Sequence, residues 1–216
     1  MNPTMNTKVK TKMIETIEKF PNLRVIDSVI DEIKDLIDYD ENPIQFWIAG
    51  GAVTAAITGA KINDYDIFSP TPKLLKEKLQ AGIGYNTFEN EHFTNFWVDS
   101  KKVQVVTRYE PKTAEEIFNT FDFTIVCGAY DGTTFYHHDR FWQDIAVKRM
   151  VINELTFPMK TLERVVKYAN RGYKLCPVGL LKLVKTINAL EVDWENPDEN
   201  QLSYYPDGTA RFTGVD

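Results

Sequence analysis

Two carboxylates one residue apart stand at Asp64-Tyr65-Asp66, and a short way upstream two glycines stand together at Gly50-Gly51. In an extended strand, residues i and i+2 face the same side, about 6.6 Å apart along the chain. Two carboxylates so placed repel each other unless a cation sits between them. Hard oxygen donors suit Mg²⁺, with Mn²⁺ as its substitute; such an ion takes one or two carboxylates and completes its shell with substrate phosphates and water. A double glycine lets backbone approach a ligand closely. If a helix follows it, the helix N-terminus favours an anion. A glycine turn for a triphosphate beside a paired-aspartate metal site is equipment for phosphoryl or nucleotidyl transfer. The plain alternative is two ordinary acids at the start of a strand.

Local elements must hold these groups in place. The apolar run Ile44 to Ile48, ending at Gly50-Gly51, reads as a buried strand, and Ala52 to Thr58 as a short helix closed by Gly59. Tyr65 to Phe68 reads as a second strand, ended by Pro70 and Pro72. Upstream, Ile26, Val29, Ile30, Ile33 and Ile37 recur at helical spacing, which predicts an amphipathic helix over 23–39. Downstream, Leu74 to Leu79 reads as a surface helix, and 84–108 as antiparallel strands around a Ser100-Lys101 turn. Thr113 to Phe121 is expected as a helix, Phe123 to Tyr130 as a buried strand, and Asp131-Gly132 as a turn into a strand at Thr133 to Tyr136. From Phe157 to Leu190 the pattern is helical, broken near Gly172 and Pro177. The expected fold class is α+β, a mixed α/β sheet with helices and a helical appendage. The expected division is a flexible segment over 1–22, a sheet-bearing head over 23–150, helices over 151–190 and an irregular tail over 191–216.

Composition narrows the classes. The 216 residues are 43% hydrophobic and 12% aromatic, enough for a packed core. No apolar stretch approaches the roughly 18 residues of a membrane span, and the polar opening MNPTMNTKVKTK lacks a secretory h-region. A cytoplasmic location follows as the expectation, with Cys127 and Cys176 as free thiols. Net charge is −6, which excludes a generally basic coat. The exception is 160–185, where Lys160, Arg164, Lys167, Arg171, Lys174, Lys182 and Lys185 accompany one acid, Glu163. That stretch is either a solvated helix face or a surface that meets phosphates.

The same residues carry a family resemblance. GGAVTAAITGAKINDYDI resembles the first motif, roughly GGxVRDxLLGxxxxDxDh, of the head domain of class II CCA-adding enzymes and bacterial poly(A) polymerases in the polymerase-beta-like nucleotidyltransferase superfamily. TFDFTIVCGAYD, residues 120–131, is similar to a second motif like RRDFTINAxAYD. LERVVKYANRGYKL retains Arg164, Lys167, Tyr168, Ala169, Gly172 and Tyr173 of a third. The resemblance covers about residues 44–175. It implies Asp64 and Asp66 as catalytic metal ligands, and Gly50, Gly51, Asp122, Arg164 and Lys167 as nucleotide-binding residues. It implies Mg²⁺ as cofactor and a nucleoside triphosphate as substrate. It also implies RNA or tRNA as a partner, met through Lys160, Arg164, Lys167, Arg171 and Lys174.

The departures are specific. The family's Arg-Asp after the glycines is Thr54-Ala55 here, the Arg-Arg before the second motif's Asp is Thr120-Phe121, and its Asn is Val126. The base-reading Glu-Asp-x-x-Arg would fall near 157–161, where FPMKT stands. Many superfamily members have a third carboxylate on a neighbouring strand, and the corresponding run here is Val103-Gln104-Val105-Val106. Either two aspartates suffice, or Asp122 or Glu110 lies nearby, or the site is catalytically weak.

The expected function is a minimal Mg²⁺-dependent nucleotidyltransferase moving a nucleoside monophosphate onto an RNA or tRNA 3′ end. Its rivals are an inactive binding protein of the same fold and a transferase acting on a protein or small molecule. His137-His138-Asp139 is a weak metal candidate, because adjacent strand residues point to opposite faces. The aromatics Trp47, Phe88, Phe93, Phe96 and Trp97 read as core, and Cys127 as an inert buried thiol.

Overall fold

The computed structural model describes residues 11–14, 21–38, 40–84 and 88–190. Of the readings above, the tail over 191–216 and most of the segment over 1–22 lie outside the described residues. Along the chain run β1 (Thr11–Ile14), α1 (Arg24–Leu36), β2 (Trp47–Ala49), α2 (Gly51–Thr58), β3 (Tyr65–Phe68) and α3 (Pro72–Ile83). Then come β4 (Phe88–Glu89), β5 (Phe93–Val98), β6 (Lys101–Val106), α4 (Ala114–Phe118), β7 (Gly128–Tyr130) and β8 (Phe135–His138). The last elements are α5 (Phe141–Ala146), β9 (Arg149–Met150), α6 (Pro158–Ala169), β10 (Lys174–Leu175) and α7 (Pro177–Asn188).

The described residues fall into two compact units. The first holds those up to Asn119 together with Val126–Phe141; the second holds Thr120–Ile125 and those from Trp142 on. The two units interleave along the chain, because Thr120–Ile125 pairs with later residues of the second unit.

In the first unit, eight strands form one mixed sheet in the order β1-β8-β7-β2-β3-β6-β5-β4. Pairings are antiparallel except β3 with β6. That parallel pair needs a crossover, and α3 lies in the intervening chain. β1 falls inside the segment expected to be flexible, yet Thr11–Ile14 pairs with Phe135–His138. The reason is general: a bare sheet edge presents a row of backbone groups for pairing. β5 and β6 join through a two-residue turn at Asp99-Ser100, both at positive φ (43° and 61°), one residue earlier than the spacing suggested. Both central residues of a tight type I′ hairpin have this conformation.

The register divides the sheet into two faces. Ile48, Tyr65, Ile67, Thr94, Phe96, Val98, Val103, Val105 and Tyr130 share one of them, and all are buried. α1 lies on this side: the Tyr130 hydroxyl donates to Asp27 at 2.7 Å, and Lys101 Nζ pairs with Glu32 at 2.8 Å. Ile26, Val29, Ile30 and Ile33 supply the apolar stripe of α1. α2 lies there too. A Cβ on Gly128 would sit 3.0 Å from Val53 and from Phe141, so this strand position has no room for a side chain.

In the second unit, Thr120–Ile125 is held by later residues. Phe123 bridges Ile152, and the Asn153 amide donates to the Asp122 carbonyl at 2.7 Å. The expected strand over Phe123 to Tyr130 is therefore corrected: Thr124–Val126 forms a 3-10 turn, and only Gly128–Tyr130 is strand. An apolar run does not by periodicity alone reveal where its chain bends. Phe123, Tyr168 and Tyr173 stack edge to face at 6.1 and 5.9 Å. β9 and β10 pair in parallel, and the Cys176 thiol caps α7 by accepting from the Gly179 amide at 3.2 Å.

Candidate functional site

The second face of the sheet carries the carboxylates. Antiparallel register sets Ala49 beside Asp66, and parallel register sets Gln104 on the other side of Asp66. Asn95 follows beside Gln104. One row across the sheet thus reads Ala49, Asp66, Gln104, Asn95. Alternation along β5 and β6 puts Lys102 and Trp97 in the next row of the same face, and Asp64 stands just before β3, two residues ahead of Asp66. Asp64 and Asp66 are both half-buried. On this face Trp97 is exposed, Lys102 and Gln104 are half-buried, and Ala49, Asn95, Trp47 and Phe68 are buried.

The glycine turn directly follows Ala49, the residue beside Asp66. β2 finishes at Ala49, Gly50 takes φ 80° and ψ −135°, and α2 begins at Gly51. A side chain at Gly50 would be strained, since positive φ of this kind is essentially a glycine conformation. The Gly50 amide donates to the Gly128 carbonyl at 3.0 Å, which ties the turn to β7. No side chain caps α2. Its first-turn amides have no intrahelical acceptors, so an anion can take them. Gly59 closes α2 in the left-handed conformation, as its position suggested.

Among the described residues, no three His, Cys, Asp or Glu side chains gather as a metal cluster. Mg²⁺ takes one or two carboxylates when triphosphate oxygens and water complete its shell, and Asp66 on β3 with Asp64 just before it, both half-buried, are donors that fit the ion. The place beside Asp66 is filled by an amide: Gln104 Nε2 donates to Asn95 Oδ1 at 2.9 Å. An amide accepts no proton at ordinary pH. Glu110 is exposed beyond the end of β6.

The other nucleotide-binding residues expected from the sequence belong to the second unit. Asp122 is 3% exposed, and Arg164 Nη1 donates to its Oδ2 at 2.6 Å. Burial pushes the Asp122 carboxyl above its ordinary range, and the Arg164 guanidinium pulls it back down. Lys167 is exposed on α6, one turn after Arg164. Of the basic stretch, Lys160 is half-buried, Arg171 lies over the Tyr168 ring at 5.6 Å, and Lys174 is exposed on β10. The bases share this unit with exposed Leu162, Val166, Val178, Leu180, Leu181 and Val184. Of the positions of the missing family residues, Thr54 and Ala55 in α2 and Val126 in the 3-10 turn are buried, and Thr120 and Phe121 are half-buried.

His137 is buried and His138 half-buried on opposite faces of β8. The reading of the aromatics as core holds for Trp47 and Phe96. It fails for Trp97, which is 49% exposed. Along β5 Asn95 and Trp97 alternate with Thr94, Phe96 and Val98, which puts Trp97 on the face opposite Phe96.

Comparison with solved structures gives the fold. The Thermotoga maritima CCA-adding enzyme complexed with tRNA matches at TM-score 0.61 and 15% identity, covering 82% of this chain and 46% of that one. An apo form of a CCA-adding enzyme matches at 0.64 and 16%, covering 82% and 48%. A tRNA-processing enzyme matches at 0.58 and 19%, covering 82% and 49%. The fold is therefore that of a CCA-adding-type nucleotidyltransferase head. At the level of sequence, "Gabija anti-defense 2" of Bacillus phage SPbetaL7 is 32% identical over 161 residues. That alignment covers 72% of this chain but 40% of the relative, so the chain spans well under half of the curated relative's length. A model of the Gabija anti-defense 2 family matches residues 21–148. With its carboxylate pair and glycine turn on a nucleotidyltransferase sheet, the chain belongs to the Gabija anti-defense 2 family.

Proposed function

We propose that this protein is a Mg²⁺-dependent nucleotidyltransferase that acts against a Gabija defence system by moving a nucleoside monophosphate from a triphosphate to an acceptor, with an RNA 3′ end favoured. One observation carries the reading: Asp66 lies in register beside Ala49, the residue that leads into the uncapped glycine turn. Asp64 and Asp66 hold the metal, which when bound neutralises charge on the triphosphate. Gly50 and Gly51 bring backbone amides to the β- and γ-phosphates. The acceptor oxygen attacks the α-phosphorus, the bond to the β-phosphate breaks and pyrophosphate leaves. The acceptor's proton goes to an Asp carboxylate or to water, because Gln104 cannot take it. Lys167 and Lys174, among the exposed bases of the second unit, supply phosphate contacts for RNA.

The test offers α-labelled triphosphates, Mg²⁺ and total cellular RNA to the purified protein, and then total protein in place of RNA. Label on RNA that disappears with Asp64→Asn supports the proposal. Label on protein moves the acceptor to a protein hydroxyl. In bacteria carrying Gabija, the same variant should fail to restore phage growth.

Gln104 favours a second reading, in which the site binds a metal–triphosphate and transfers nothing. Triphosphate would then raise the melting temperature in Mg²⁺ with no labelled product, and Asp64→Asn would remove that rise.

A further inference from the structure

We propose that Trp97 and Lys102 form the acceptor side of the site, where an unpaired nucleobase stacks on the indole and its backbone phosphate meets the ammonium. The inference rests on the nucleotidyltransferase reading and names its acceptor class, a single-stranded nucleic acid end.

The register carries the argument. Trp97 pairs with Lys102, and Asn95 with Gln104. Gln104 is beside Asp66. Residues two apart on one strand share a face, so Trp97 and Lys102 point to the side that bears Asp66. At strand spacings of about 4.8 Å, Trp97 lies two strands, or roughly 10 Å, from the line of Asp64 and Asp66. The glycine turn flanks Asp66 on the β2 side, while β6 and β5 lie on the opposite side. A triphosphate seated at the turn thus leaves the β6–β5 side for the second substrate.

The chemistry of that side is selective. On the same two strands Phe96, Val98, Val103 and Val105 are buried at 3% exposure or less, whereas Trp97 is 49% exposed. A tryptophan held out of a core that has taken its neighbours presents a flat apolar face to water. Stacking a base is sequence-tolerant and is worth about 1–3 kcal/mol per base. On the same face Gln104 is half-buried and donates at 2.9 Å to Asn95, which is itself buried. A cation beside an exposed aromatic plane on one sheet face supplies the two elements of a single-strand site.

The experiment measures binding of a fluorescently labelled unstructured hexanucleotide RNA to the whole protein by anisotropy, without triphosphate or metal. Trp97→Ala should weaken binding roughly 5- to 150-fold, the range that one stacked base spans, and Trp97→Phe should recover most of it. Lys102→Ala should lower the salt slope by about 0.7. None of the three should change the melting-temperature rise produced by triphosphate and Mg²⁺, which reports on Asp64 and Asp66. Wild-type RNA affinity that is absent, or unchanged in both Trp97→Ala and Lys102→Ala, overturns the inference. A triphosphate response that persists then leaves the metal–triphosphate site standing without this acceptor; its loss in the wild type would remove both.

Discussion

Phe96 and Trp97 are neighbours on β5, and they meet opposite fates. Phe96 is fully buried among Ile67, Val103 and Val105, on the side where α1 and α2 pack. Trp97 is half exposed on the side of Asp64 and Asp66. The same contrast runs across the strands: Tyr65 and Ile67 are buried while Asp64 and Asp66 stay in contact with solvent. One face supplies the apolar burial that makes the sheet stable. The other holds carboxylates, amides, a lysine and an indole that contribute little to stability. Residues kept in a folded protein without a packing role are where binding chemistry is to be sought.

The contrast breaks most sharply at the carboxylates. Replacing Asp66 with Asn should reduce nucleotide transfer on the order of 10²–10³-fold, since several kcal/mol of charge stabilisation depends on the metal it holds. Unfolding stability should stay within about 0.5 kcal/mol of wild type. Single-turnover assays and urea melts on one preparation check both halves. A variant that transfers normally, or that unfolds, removes Asp66 from the site.

The next test sets the two aromatics against each other. Phe96→Ala should cost about 3–5 kcal/mol, the range for emptying a buried ring. Trp97→Ala should cost about 0.5 kcal/mol or less. Equal losses would mean that Trp97 is as much a part of the core as Phe96.

A smaller effect is expected at the Asp122–Arg164 pair of the second unit, at about 2 kcal/mol for Arg164→Met. Breaking a fully buried pair costs about 3–5 kcal/mol, but Arg164 is half exposed. The pH dependence has a definite sign. Burial already raises the folded-state pKa of Asp122, and losing the guanidinium raises it further. A raised carboxyl destabilises the fold above its folded pKa, and protonation relieves this as pH falls. The deficit of the variant should therefore be largest at neutral pH and shrink through the acid range. A deficit that is constant with pH would mean that Arg164 acts by packing alone.

The smallest effect separates two adjacent lysines. Lys101→Ala removes the bridge to Glu32 and should cost at most about 1 kcal/mol, reduced further by salt. Lys102→Ala, on the carboxylate face, should leave stability unchanged. A stability loss at Lys102 equal to that at Lys101 would erase the distinction between the faces at this strand.

Much of this was legible along the chain. The 3.6-residue recurrence of Ile26, Val29, Ile30 and Ile33 announced α1, because one stripe of a helix must find the core. Tyr65–Phe68 was bounded by prolines, and Gly59 stood where a helix needs a left-handed residue. The glycine pair stood in the chain where the structure turns from β2 into α2, since only glycine takes the Gly50 conformation readily.

What the chain order left open was decided by long-range pairing. Alternation says that Asp66 and Phe68 share a face and that Ile67 does not; it cannot say which face the helices cover. Register with β6 put Gln104 and not a carboxylate beside Asp66, and register with β5 carried Trp97 to the same side. β1 gained its place only because β8 offered an edge. The run at Phe123 was split because Phe123 and Asp122 found partners at Ile152 and Asn153. Each of these is a pairing between residues distant in sequence. Local propensity carries no information about such partners, whose backbone groups and side chains are satisfied only when the whole sheet is assembled.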